Sequence, residues 1–136
     1  MPFKALHLAQ IELQGAQTFG GKSREIGEAL ERSFAFSGID NDIVLGCAGI
    51  VPLWEGRAHL WSYLSKNINK TQMIAIHRAA LRGIEMRTEK RLEATCDVNF
   101  KAGHRWLKML GFQMECERMR SYRPDGGDEA LYSRIR

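Results

Sequence analysis

The stretch RLEATCDVNFKAGHRWLKMLGF, residues 91–112, constrains the fold most, because it encodes a strand, a helix and a second strand in immediate succession. Its apolar-rich start predicts a strand that ends at Asp97, and Asn99 follows at a position that suits the N-cap of a helix. Gly111 stands where a left-handed residue ends that helix, and Phe112 opens the next strand. The apolar stripe of the helix comprises Phe100, Gly103, Leu107 and Leu110.

Hydrophobic periodicity along the rest of the chain predicts further strands and helices. The predicted strands are Phe3–Leu8, Phe34–Ser37, Ile43–Val51, Ala58–Ser65, Arg91–Asp97, Phe112–Tyr122 and Glu129–Ile135. The predicted helices cover Arg24–Ser33, a segment capped by Thr71, and the segment after Asn99. The fold class is therefore α/β (α+β), with a mixed, mostly antiparallel sheet of about seven strands and helices on both faces.

Length and composition predict a single domain spanning residues 1–136, with 44% hydrophobic and 26% charged residues. No apolar run approaches the ~18 residues of a membrane span, and the N-terminus lacks a signal-peptide pattern. We therefore expect a cytoplasmic protein without membrane contact. Cys47, Cys96 and Cys116 are predicted to be buried, reduced thiols, and no metal is expected because no residues have metal-ligand spacing.

The positive charge is concentrated in residues 66–136, which hold fifteen Lys and Arg against nine Asp and Glu, a net charge of +6. A positively charged segment of this kind can bind a phosphorylated cofactor or a nucleic acid. Acidic residues are interleaved with the basic ones, as is typical of solvated faces, and no nucleic-acid recognition motif is present. We therefore do not expect nucleic acid as a partner. The interleaved residues are Glu85, Glu89, Glu93, Glu115 and Glu117.

The strand–helix–strand of residues 91–112 resembles motif B of the GNAT acyltransferase superfamily, and the predicted element order resembles the GNAT fold over nearly the whole chain. The C-terminal part is similar to small acyltransferase-like proteins of tailed bacteriophages. This resemblance implies an N-acyltransferase that uses acetyl-CoA, or another acyl-CoA, as co-substrate and an amine as acceptor. The residues that carry it are HRWLKMLGF, Glu115, Arg118, Tyr122, Pro124-Asp125-Gly126 and Leu131-Tyr132.

By this resemblance, the end of the fourth predicted strand would bind the pantetheine of acyl-CoA, and the following loop and helix N-terminus would bind its pyrophosphate. Asn99 would reach the pantetheine arm. The segment KNINKTQM contains no glycine, unlike the phosphate loop of the family, which leaves open an ordinary solvated connection. The implied binding residues are Leu64, Ser65, Lys66, Asn67, Asn69, Lys70, Thr71, Gln72 and Asn99.

Amide formation from a thioester needs a base for the amine and a proton donor for the thiolate. The candidate bases are Glu55, in the turn before the fourth predicted strand, and His59, within that strand. A structural imidazole and a solvated turn residue remain the alternatives for them. Many relatives carry a tyrosine acid where this chain has Trp106 or Leu107, and neither side chain can protonate a thiolate. His104 is predicted to lie on a helix surface.

Two functions therefore stay open. The first is an acyl-CoA-dependent N-acyltransferase in which the amine attacks the thioester directly in a ternary complex. The second is a catalytically degenerate GNAT-like fold that binds a protein, such as a protein of a phage host. The sequence leaves the acceptor and the oligomeric state open, because the fold alone carries no substrate chemistry.

Overall fold

The computed structural model describes residues 1–4, His7 and residues 34–136. The predicted helix Arg24–Ser33 and most of the predicted strand Phe3–Leu8 lie outside these described residues. The described elements are β1 (Phe34–Asp40), β2 (Ile43–Trp54), β3 (Arg57–Leu64), α1 (Lys70–Glu85), β4 (Arg91–Asp97), α2 (Lys101–Met109), β5 (Gln113–Met119) and β6 (Glu129–Ile135).

The strands form one sheet in the order β1-β2-β3-β4-β6-β5. Strands β3 and β4 pair in parallel, whereas β1–β2, β4–β6 and β5–β6 pair antiparallel. The fold class is confirmed, with six described strands rather than about seven. The predicted strand Phe3–Leu8 accounts for the difference, and of its residues the structure describes Phe3, Lys4 and His7.

The chain divides into two compact units, of which the first comprises Met1–Val51 and Leu60–Ala79. Its core is centred on Phe3, with the Phe3 ring 5.2 Å from the Trp61 ring in an edge-on contact. Strand β2 can pass this core because Gly49 has no side chain: a Cβ there would lie 2.8 Å from the Phe34 carbonyl. The other core members are Val44, Cys47, Ala35 and Tyr63.

The second unit comprises Pro52–His59 and Ala80–Arg136. Its interior is built from two alanines and a leucine around one large ring: Ala58, Leu92, Ala130 and Tyr132 are fully buried. Burial of such apolar side chains is the main stabilising contribution to a unit of this size.

A row of ion pairs crosses the strands of the second unit. Glu93, which is 4% exposed, accepts a hydrogen bond at 2.6 Å from Arg57 and one at 2.8 Å from Arg91. Arg91 also donates to Glu115 at 2.6 Å, which ties β4 to the edge strand β5. Burial opposes the ionisation of Glu93, but its two arginine partners outweigh that effect and lower its pKa. The carboxylate is therefore ionised at neutral pH.

The sequence predicts the end of α2 correctly but not its start. The prediction that Asn99 caps this helix is wrong: α2 is preceded by Phe100, with no side-chain cap. The Asp97 carboxylate instead accepts the Asn99 amide at 2.8 Å, which adds a turn before the helix. At the other end Gly111 has φ +91°, the left-handed conformation that was predicted. The Gly111 amide donates to the Lys108 carbonyl and the Phe112 amide to the Leu107 carbonyl, each at 3.0 Å, which forms a Schellman motif.

The three cysteines are free thiols in strands β2, β4 and β5. Cys47 and Cys96 are buried, as predicted, whereas Cys116 is only half-buried. Burial raises the pKa of Cys47 to about 11 and that of Cys96 to about 12, so both stay protonated and pack as small apolar side chains. Neither helix with described bounds has the length and apolar character that crossing a membrane requires.

Candidate functional site

The β3–α1 loop (residues 65–69) starts from a residue held inside the first unit. Ser65 is buried, and its amide donates to the Leu45 carbonyl at 2.7 Å. The Ser65 hydroxyl accepts the Asn67 amide at 3.1 Å, which turns the chain away from the strand. Leu64, the last residue of β3, lies against Gly46 of β2, where an added Cβ would come within 2.6 Å of its side chain. These contacts fix where the loop leaves the sheet.

A reciprocal capping box begins α1. The Gln72 amide donates to the Asn69 side chain at 2.8 Å, and the Asn69 amide donates to the Gln72 side chain at 3.0 Å. The Gln72 side chain also donates to Asp40 of β1 at 2.9 Å. The prediction that Thr71 caps this helix is therefore wrong, because Asn69 two residues earlier takes that role. Two of the predicted phosphate-binding residues, Asn69 and Gln72, thus already use their side chains to accept each other's backbone amide.

The remaining predicted residues of this segment are exposed: Lys66, Asn67, Lys70 and Thr71. The first turn of α1 contains no acidic residue. An exposed helix start has a partial positive charge from its amides, and two lysines beside it add full charges. This segment has the chemistry of an anion-binding site.

In the second unit, the β4–α2 corner (residues 97–100) is built around Asp97. Its carboxylate accepts a hydrogen bond from Arg123 at 2.5 Å as well as the Asn99 amide. Its carbonyl accepts the Phe100 amide at 3.0 Å. Arg123 also donates to the buried Glu129 at 2.8 Å, so the corner is fastened to β6. Asn99 itself is exposed at the tip of the corner.

The sequence placed His104 on a helix surface, and this prediction is wrong. His104 is half-buried, with its Nδ1 2.6 Å from the hydroxyl of Tyr132 and its Nε2 3.0 Å from the carbonyl of Asp97. Tyr132 lies on β6, 28 residues away, so no local spacing could have revealed the pair. In the sequence Tyr132 contributes to the family resemblance, but no local pattern assigns it a role in the site.

His59, the first candidate base, is half-buried in β3 and stands opposite Glu93 of β4 in the parallel register. Directly paired residues of adjacent strands share a face of the sheet, so both side chains lie on one face. Burial lowers the pKa of His59, and the charge of Glu93 only partly offsets that effect. At neutral pH the imidazole is therefore uncharged and able to accept a proton.

Glu55, the second candidate base, lies in the turn between β2 and β3 and is exposed. It lines an open depression of about 630 Å³ in the second unit. Trp54 also lines this depression and packs under the guanidinium of Arg57, 4.4 Å from the ring centre. Three residues separate Glu55, in this turn, from His59, within β3.

The predicted residues therefore fall into separate groups. The structure gathers residues 64–72 in the first unit, at the end of β3 and the start of α1. It assigns Glu55, His59 and Asn99 to the second unit. Trp106 and Leu107 are half-buried on α2. Within residues 1–4, His7 and 34–136, no three His, Cys, Asp or Glu residues cluster as a metal site.

Comparison with solved structures finds extensive likeness to acetyltransferases. The ribosomal-protein-S18-alanine N-acetyltransferase from Escherichia coli matches with a TM-score of 0.72 and 20% identity, over 96% of this chain and 86% of that one. A putative GNAT-family acetyltransferase from Desulfovibrio desulfuricans matches with a TM-score of 0.70 and 18% identity, over 99% of this chain and 94% of that one.

The ribosomal-protein-alanine N-acetyltransferase from Brucella melitensis matches with a TM-score of 0.68 and 15% identity, over 97% of this chain and 91% of that one. No protein-family model matches the sequence, and comparison with curated proteins gives no match. At these identities a structural likeness establishes the fold and not the activity. The chain has the GNAT acetyltransferase fold.

Proposed function

We propose that this protein is an acyl-CoA-dependent N-acyltransferase that moves an acetyl group from acetyl-CoA to an amine. The observation that carries the proposal is the exposed start of α1, with Lys66 and Lys70 beside it, directly after β3 of a GNAT fold. The resemblance of the C-terminal part to phage proteins adds the proposal that the enzyme works in the cytoplasm of a host cell.

The described residues fit acetyl-CoA in part. Lys66, Lys70 and the amides of the first α1 turn supply positive charge for its phosphates. Asn99 is exposed, which suits contact of its side-chain amide with the pantetheine arm. Asn69 and Gln72 fit less well, because their side chains already complete the capping box.

The reaction forms a C–N bond between the amine and the thioester carbonyl carbon and breaks the C–S bond. Before attack, the amine must lose a proton, which the uncharged imidazole of His59 can accept. Glu55 is the alternative base, either directly or through water. The departing thiolate takes up a proton, and neither Trp106 nor Leu107 of α2 can donate it. Solvent water can supply this proton.

A second function is favoured by that missing acid and by the occupied capping box. In this alternative the GNAT fold has lost its chemistry and binds a protein partner. The two functions differ in one property: only the transferase requires acetyl-CoA to bind.

Calorimetric titration with acetyl-CoA, CoA and dephospho-CoA tests the proposal. A ligand at a hundredfold excess over Kd stabilises the folded protein by about 2.7 kcal/mol, so thermal unfolding provides a second readout. We expect Lys66→Ala/Lys70→Ala to weaken binding at least tenfold. The matched control, Lys4→Ala/Lys108→Ala, removes the same charge from two exposed positions that have no part in the proposed site and should bind normally. Equal weakening in both would contradict the placement of the phosphate site.

Transfer is then measured as release of free CoA thiol with peptides that offer either an N-terminal alanine or an internal lysine. His59→Gln should abolish release while leaving the acetyl-CoA Kd unchanged, whereas Glu55→Gln should have little effect if His59 is the base. The reverse pattern would assign the base to Glu55. An absence of acetyl-CoA binding at millimolar concentration would rule out the transferase and favour the protein-binding function.

A further inference from the structure

The hydrogen bonds of His104 determine where its ring protons lie. Its Nε2 is 3.0 Å from the Asp97 carbonyl and 3.2 Å from the Val98 carbonyl. Because a carbonyl can only accept, Nε2 must carry the proton and donate to this pair of oxygens. In the neutral ring Nδ1 then accepts, and the hydroxyl of Tyr132, 2.6 Å away, donates to it. The geometry thus defines one tautomer and one direction of donation.

Tyr132 makes this arrangement rigid. Its side chain is fully buried, and its backbone lies on β6 directly opposite Ala94 of β4. Burial raises the pKa of the phenol, so the hydroxyl keeps the proton that it donates. Its ring and that of His104 also pack together, with centres 5.6 Å apart. The histidine is therefore held on two sides, by the sheet and by the two carbonyls.

These two carbonyls belong to the residues that immediately precede Asn99. The amide of Asn99 is bonded to the Asp97 carboxylate, and the Val98 amide donates to the Asp128 carbonyl at 3.3 Å. Each backbone group around Asn99 is thereby fixed, while its own side chain is exposed. Such an arrangement pre-organises the side-chain amide of Asn99 for a ligand, because the backbone that carries it does not have to become ordered when the ligand binds.

We propose that His104 and Tyr132 are positioning residues that hold the β4–α2 corner so that Asn99 can bind the pantetheine arm of acetyl-CoA. The inference rests on the proposed function. Neither residue touches the co-substrate: Tyr132 has no exposed surface, and His104 acts through the backbone of the corner.

The first test is the acetyl-CoA Kd of Tyr132→Phe, which removes one hydroxyl and keeps the ring. We expect Kd to rise about tenfold, the size of one lost hydrogen bond. The control Leu92→Val shortens a buried side chain of the same unit. It should leave Kd unchanged, even if it lowers the midpoint of thermal unfolding as much as Tyr132→Phe does. His104→Gln retains a donor and an acceptor, so it should bind acetyl-CoA more tightly than His104→Leu does.

A double-mutant cycle separates positioning from general loosening. If Tyr132 acts through Asn99, Tyr132→Phe should change Kd little in an Asn99→Ala background, because the residue being positioned is gone. Changes in Kd that multiply independently would overturn the proposal.

A ligand-free measurement keeps the inference testable if the proposed function fails. In hydrogen-exchange mass spectrometry, peptides covering residues 97–101 should exchange faster in Tyr132→Phe than in the wild type, and no faster in Leu92→Val. Unchanged exchange would refute the positioning role even if acetyl-CoA binds. A wild type that binds no acetyl-CoA would refute the proposed function, and the exchange result would then decide the structural role alone.

Discussion

The two helices of the GNAT fold described here begin in opposite ways. Helix α1 is capped by its own side chains, Asn69 and Gln72, which lie three residues apart and are exposed or half-exposed. Helix α2 has no side-chain cap, and its start is held by Asp97 before it, His104 within it and Arg123 far along the chain. Both starts carry residues proposed to bind acetyl-CoA.

The difference lies in where the stabilising partners come from. A capping box stabilises a helix through two hydrogen bonds that water can replace at modest cost. The β4–α2 corner depends on a carboxylate and carbonyls that are partly shielded from water, where a lost partner leaves a polar group poorly satisfied. We therefore expect substitutions at the corner to lower the free energy of unfolding more than substitutions at the start of α1. Their structural effects should also reach more distant residues.

The largest effect is expected from Asp97→Ala. It removes the bonds to Arg123 and to the Asn99 amide, and we expect the free energy of unfolding to fall by about 3 kcal/mol. Urea unfolding measures this change. Asp125 bonds to the same arginine at 3.2 Å but is exposed, so Asp125→Ala should change stability little. Similar losses of unfolding free energy in both variants would show that the corner contributes no more to stability than the exposed Asp125 does.

A smaller loss is expected at the far end of α2. Gly111 has φ +91°, and an alanine there would adopt a left-handed conformation that costs about 1 to 2 kcal/mol. Its Cβ would also lie 3.1 Å from the Nε atom of Arg134. The control is Gly83→Ala within α1, where a Cβ meets nothing within 4 Å and the free energy of unfolding should rise by about 0.5 to 1 kcal/mol. A lower midpoint of thermal unfolding for Gly111→Ala and a higher one for Gly83→Ala would confirm both assignments.

At the start of α1, Asn69→Ala should lower the free energy of unfolding by about 1 kcal/mol, the usual contribution of an N-cap. Thr71→Ala is the matched control, because it truncates a neighbouring exposed side chain that plays no part in the capping box. It should be neutral. If Thr71→Ala proves the more damaging change, the cap lies where the sequence placed it and not at Asn69.

The sequence predicted those parts of the fold that depend on nearby residues. Strands β4 and β6 have their predicted bounds, and Gly111 ends α2 as expected, because alternation and left-handed glycine are local properties. The error at Thr71 is a shift of two positions between residues that can all cap a helix, because Asn67, Asn69 and Thr71 stand close together around the start of α1. The error at Asn99 differs, because Phe100 takes the N-cap position of α2 and no side chain caps that helix.

The site was harder to predict because its partners are remote in sequence. His104 of α2 has the local pattern of a surface residue, and only the fold brings Tyr132 of β6 beside it. Likewise His59 faces Glu93 only because β3 and β4 pair in parallel, and no pattern within either strand specifies that register. The residues proposed to bind acetyl-CoA came from resemblance to a family, not from spacing, and they remain predictions.

The smallest effect is a difference in pH dependence between the two helix starts. Burial opposes the ionisation of Asp97, but the bonds from Arg123 and the Asn99 amide outweigh it and hold the pKa of Asp97 below its ordinary value of 3.8. A carboxyl with a lowered pKa in the folded state adds stability above its unfolded pKa and loses it as the pH falls toward the folded value. The amide side chains of Asn69 and Gln72 do not titrate in this range.

We therefore compare Asp97→Asn and Asn69→Ala with the wild type in urea at several pH values between 7 and 3. The stability difference for Asp97→Asn should be constant down to about pH 4 and should shrink below it, because protonation makes the wild type resemble the variant. The difference for Asn69→Ala should stay constant throughout. A constant difference for both would mean that the Asp97 carboxylate contributes by its shape and hydrogen bonds rather than by its charge. In that case the two helix starts would differ only in burial.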